Sequence, residues 1–168
     1  MNRIICFAKG GAFMKWTISE LVKQSNIDNT FDEVIDMHSY IEGTDILDIT
    51  SVHISGDFEI YDQEEFNFLL NIKCTLTLPC AITLKPVVFE VDLEVEEVFT
   101  TYEDENTRKI DGITIDLLPI VWSNIYLEKP IRVISENAYD EADYVLDEPV
   151  EKGEQINEVF ASLNNNKN

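Results

Sequence analysis

Residues 76–96 read LTLPCAITLKPVVFEVDLEVE. In the second half Phe89, Val91, Leu93 and Val95 alternate with Glu90, Asp92, Glu94 and Glu96, the period of a strand with one buried and one wet face. The wet face is entirely acidic. Upstream, Phe66, Phe68, Leu70, Ile72, Cys74, Leu76 and Leu78 share one parity, which predicts a second strand over residues 66–78. Pro79-Cys80 ends that strand and the run from Phe89 to Phe99 forms the next, giving an antiparallel hairpin in which Pro86 is expected to break pairing. Cys74 falls on the core side, where a free thiol packs as a small hydrophobe. Cys80 sits at the hairpin end.

Working outward, residues 45–61 carry Ile46, Leu47, Ile49, Val52, Ile54, Phe58 and Ile60 around Gly56. This composition predicts one strand or two, with Gly56 marking a bulge or tight bend. Asp62-Gln63-Glu64-Glu65 is a polar turn. Phe31, Val34, Ile35 and Met37 predict a strand within residues 26–40, bulged or followed by a turn. Before it, Thr17 and Glu20 form a capping box opening a helix of about two turns, with Ile18, Leu21 and Val22 as its apolar stripe. A second helix is expected from an N-cap at Asp116 to about Leu127, with Leu117, Leu118, Val121, Trp122, Ile125 and Tyr126 on its buried face and Pro119 in the first turn. Trp122 reads as its core anchor. Lys129-Pro130 stops the helix, and Ile131, Val133 and Ile134 suggest a short edge strand. The fold class is α+β: a mostly antiparallel sheet with about two packed helices and an acidic C-terminal tail.

Residues 14–135 read as one domain, a normal size for a chain of 168 residues with 45% hydrophobic content. Residues 1–13, MNRIICFAKGGAF, contain no acidic side chain. Lys9-Gly10-Gly11 is what a purine-rich ribosome-binding sequence encodes when read in frame, so Met14 is the expected native start and the segment an upstream artefact, the alternative being a short N-terminal arm. Residues 136–151 hold seven acidic side chains and no basic one, a composition typical of a mobile tail. Ile156, Val159, Phe160 and Leu163 have the spacing of a short helix within residues 136–168.

Twelve Lys and Arg stand against 33 Asp and Glu, a net charge of −21 and a pI near 4.2. Such a field repels a phosphate backbone, so direct nucleic-acid binding over a broad face is not expected. Arg108-Lys109 and Lys73 are isolated cations rather than a basic patch. The acidity keeps the chain dissolved and monomeric, or it attracts a basic protein. No apolar run approaches the roughly 18 residues of a membrane span, and the three cysteines, Cys6, Cys74 and Cys80, follow no metal or disulfide spacing. A soluble protein of a reducing cytoplasm is expected.

Sequence motifs for catalysis are lacking. His38 and His53 are the only histidines, and the acidic surroundings of Cys80 are expected to raise its thiol pKa rather than activate it. Zinc would need four ligands from unpatterned Cys and His. Glu103, Asp104, Glu105 and Asn106 lack the turn and oxygen spacing of a calcium loop. Phosphate-binding loops, nucleophile elbows and HExxH are absent from the sequence. No catalytic residue, cofactor or metal is therefore assigned, and the chain reads as a non-enzyme.

Three separated pieces resemble the YceD-like (DUF177) family: Met14-Lys15-Trp16-Thr17-Ile18 with Glu20-Leu21; Leu78-Pro79-Cys80-Ala81-Ile82-Thr83-Leu84; and Ile115-Asp116-Leu117-Leu118-Pro119 through Leu127-Glu128-Lys129-Pro130. The resemblance spans residues 14 to about 149. It marks Trp16, Pro79, Cys80 and Thr83 as family-motif positions. Many members carry Cys-x-x-Cys in the central piece; here Thr83 takes the second position, so a metal or disulfide role does not carry over. The resemblance implies a non-enzymatic role in 23S rRNA accumulation and large-subunit assembly. Charge adds an expected partner, a basic large-subunit ribosomal protein or pre-ribosomal particle. Glu90, Asp92, Glu94 and Glu96 on the strand and Asp140, Glu141 and Asp143 on the tail are its candidate contacts, or plain solvated surface. The rival readings are an RNA-binding module acting on precursor rRNA and an acidic protein with an enzymatic site that the sequence does not mark.

Overall fold

The computed structural model describes residues 14–141. Strand β1 (Lys15–Thr17) runs into helix α1 (Ile18–Ser25), followed by β2 (Thr30–Ile35), a 3-10 turn (His38–Tyr40), β3 (Asp48–Ile49), β4 (Val52–Tyr61), β5 (Glu65–Pro79), β6 (Pro86–Thr100), β7 (Arg108–Lys109), β8 (Thr114–Asp116) and helix α2 (Leu118–Glu128). The main sheet has the order β2-β4-β5-β6-β7, with β3 pairing β5 beside it, and β1 and β8 form a separate two-stranded sheet. All pairs are antiparallel except β6 with β7. The expected α+β class and its antiparallel sheet are present.

The β5–β6 hairpin is the spine. Its ladder runs from Glu65↔Thr100 to Pro79↔Pro86. Two prolines face each other in its last pair, and just beyond them the Cys80 N–H donates to the Lys85 carbonyl as the chain turns. Pro86 therefore sits within the last pair rather than breaking the pairing. Along β5, Phe66, Phe68, Leu70, Ile72, Cys74, Leu76 and Leu78 are all buried, as their parity predicts, and each large side chain removed from water stabilises by roughly 1.5–3 kcal/mol. The same core cluster holds Val52, Ile54 and Phe58 of the neighbouring β4, Leu21 of α1, and Leu117, Val121 and Ile125 around α2. Trp16 and Phe31 pack around Phe68, with ring centroids 6.4 Å and 6.5 Å from it.

Gly56 makes no bulge: it stays in register between Phe31 and Leu70. A Cβ there would lie 2.0 Å from the Leu69 carbonyl oxygen and 3.1 Å from Phe31 Cζ. The glycine permits close backbone approach within a continuous ladder. The polar turn after β4 places Asp62 and Gln63 at φ +51° and +60°, with the Glu64 N–H donating to the Tyr61 carbonyl, the geometry of a primed hairpin turn without its usual glycine.

The α1 capping box forms as expected, with the Thr17 N–H donating to Glu20 Oε2 and the Glu20 N–H to Thr17 Oγ1. Before α2, Asp116 ends β8 instead of serving as N-cap; Leu117 takes that place, and Asp116 Oδ1 accepts the Leu118 N–H. Ile120, not assigned to the inner face, is buried, while Tyr126 is 43% exposed. Residues 131–134 form no strand, and Ile131 is fully exposed. At the tail's start, residues 138–141 are helical and Ala138 is buried. The expectations for residues 1–13, Asp143 and the helix at 156–163 lie outside the described residues.

Candidate functional site: an acidic sheet face and the hairpin turn

Residue alternation along β2, β4, β5 and β6 sends one set of side chains to the core and the other to a single outer face. Register decides which outer side chains meet. Val34, His53, Lys73 and Asp92 form one cross-strand row; Asp32, Ser55, Asn71 and Glu94 the next; Thr30, Asp57, Leu69 and Glu96 a third; Glu59, Asn67 and Val98 a fourth. Glu90, Asp92, Glu94 and Glu96 are all exposed on β6. The structure thus extends the acidic strand seen in the sequence across four strands, adding Asp32, Asp57, Glu59 and Glu65. Sequence reasoning missed these four, since only pairing register shows that they share a face.

Cations on or beside this face are already engaged. Lys73, the one Lys or Arg on the four strands, reaches Asp92 at 3.0 Å. His53 Nε2 lies 2.7 Å from Asp32. Arg108 pairs with Glu97 at 2.7 Å and Lys109 with Glu103 at 2.6 Å. Of the tail candidates, Asp140 is exposed, whereas Glu141 is tied to Lys85 at 2.8 Å.

Cys80 and Thr83 meet in the hairpin turn. The Cys80 N–H donates to the Lys85 carbonyl, the Leu84 N–H to the Cys80 carbonyl, and the Ala81 N–H to the Val133 carbonyl. The Ser135 N–H lies 3.4 Å from Cys80 Sγ and the Ser135 hydroxyl 3.6 Å. The Thr83 hydroxyl donating to the sulfur, helped by the Ser135 and Thr83 backbone N–H groups, brings the thiol pKa down to about 6. This corrects the expectation that the acidic surroundings raise it: local donors outweigh a distant, solvent-screened field. Cys80 is nonetheless fully buried, and its turn clasps the segment leading to Glu141. Burial pushes Cys74 up to about 11, the state of an inert core thiol.

His38 Nδ1 contacts Asp36 at 2.6 Å and Nε2 contacts Asp48 at 3.0 Å, and these two carboxylates raise its pKa. Both histidines are thus held by aspartates, and neither pairs with a cysteine. Trp16 belongs to the aromatic core cluster. Among the described residues no group of His, Cys, Asp and Glu is arranged to hold a metal ion, and no helix is long and apolar enough to cross a membrane.

Comparison with known proteins bears on the same elements. The chain is 29% identical over 130 residues to "Uncharacterized protein YlbN" of Bacillus subtilis (strain 168), covering 74% of this chain and 75% of that protein. No solved structure matches. A family profile described as "Large ribosomal RNA subunit accumulation protein YceD" matches residues 69–165. That span takes in β6, the Cys80 turn and α2, and begins after Trp16. With more than half of its residues matched, the chain belongs to the YceD family of large ribosomal RNA subunit accumulation proteins.

Proposed function

We propose that the protein is a non-enzymatic factor that supports 23S rRNA accumulation and large-subunit assembly by holding a basic ribosomal protein, free or in a pre-ribosomal particle. The observation that carries this reading is the outer sheet face, where carboxylates from four strands share one surface and its single lysine is paired with Asp92. Such a face attracts a cationic protein, accelerates its association and makes the complex weaken with salt. The same field disfavours direct RNA contact, and the pairing of Lys73, Arg108 and Lys109 with carboxylates leaves those cations poorly placed to neutralise phosphates. Purification from the native cells at low salt tests the reading. A basic large-subunit protein or precursor particle is expected to copurify and to be lost at high salt. Recovery of the chain alone would overturn it and return the acidity to solubility.

A further inference from the structure

Strand β6 has β5 on one side along its whole length. On its other side, among the described residues, only β7 pairs, at Phe99 and Thr100. Residues 86–98 therefore present an unpaired edge about 40 Å long at the usual rise per residue. Alternate residues of an antiparallel edge strand point both N–H and C=O outward, so the edge is a row of unused donors and acceptors. β7 shows that this side accepts a strand, and it stops after two residues.

The side chains say what strand would fit. Toward the outer face the edge shows Glu90, Asp92, Glu94 and Glu96; toward the core face it shows Phe89, Leu93 and Val95, each only partly buried. Charge on an edge ordinarily blocks unwanted pairing. Here it has one sign, so it repels a second copy of this strand, since like charges directly opposite destabilise a pair. The same row favours a cationic neighbour. We infer that the free edge of β6 takes up an extended basic segment of a protein partner by strand addition, with Lys or Arg at alternate positions over the acidic row and apolar residues between them against Phe89, Leu93 and Val95. This rests on the reading of a basic ribosomal partner and specifies how it is held: main-chain pairing supplies affinity, and the alternation supplies selectivity.

The test uses the full chain and a synthetic peptide of about twelve residues, the length of the free edge, alternating Lys and Val. A peptide of equal composition with its lysines in one block serves as control. The alternating peptide is expected to protect alternate amides of residues 87–98 from hydrogen exchange and to bind more tightly than the block peptide. Replacing Glu90, Asp92, Glu94 and Glu96 by Gln or Asn is expected to weaken it about tenfold or more, as the loss of several exposed charge pairs implies, with the circular dichroism spectrum unchanged. Unchanged β6 exchange, or equal binding of the two peptides, overturns strand addition. If a basic ribosomal protein still copurifies from cells in that case, the functional reading stands without this mechanism; if none copurifies, the functional reading has failed on its own.

Discussion

The Cys80 sulfur sits among hydrogen-bond donors supplied by its own turn and by Ser135. Its thiol pKa of about 6 lies below the ordinary value of 9 because Thr83 and Ser135 donate to the sulfur. A group whose folded pKa is depressed binds fewer protons in the folded than in the unfolded state between those values, so stability rises with pH from about 6 to 9 and is lost as pH falls through 6. Denaturant titrations across that window are expected to show the rise, and Cys80→Ser to abolish it. His38 has the opposite sign. Asp36 and Asp48 raise its folded pKa above 6.5, so its contribution is present below 6.5 and is lost as pH rises through the folded value. An NMR titration is expected to place its midpoint above 6.5, and Asp36→Asn to lower it. The leading partners, Thr83 for Cys80 and Asp36 for His38, are near in sequence, but their approach depends on the folded turns, and Ser135 and Asp48 join them from 55 and ten positions away.

Among the elements, β4 carries two tests of backbone geometry. Gly56→Ala would drive a Cβ into the Leu69 carbonyl, and the ladder must open to admit it. A loss of at least roughly 1–3 kcal/mol is expected by chemical denaturation, and wild-type stability in that variant would refute the close approach. At the following turn, Gln63 sits at φ +60°, where a side chain is strained. Gln63→Gly is expected to raise stability by up to about 1 kcal/mol, despite glycine's greater freedom when unfolded. β5, β6 and α1 were legible because each carries a complete local signal: strict alternation, or a capping box followed by an apolar stripe. β7 and β8 were not, because strands of two or three residues have too few positions for a period. They exist through pairing with Phe99–Thr100 and with β1.

Taken as a whole molecule, a net charge of −21 stores self-repulsion that salt relieves. The melting temperature is expected to rise with added sodium chloride while binding to a basic partner falls, and parallel salt dependences would break the link drawn between charge and binding. Sequence alone determined the class of the fold, the central hairpin, the acidic strand and the family likeness, because all of these are properties of neighbouring residues: alternation, capping, composition and short motifs. Tertiary structure alone decided that acids from four strands share one face, that the lysine on it is paired, that Thr83 and Ser135 converge on Cys80, and that most of β6 keeps an open edge among the described residues. Those facts depend on strand order and register, and cross-strand partners far apart in the chain leave no local period to read.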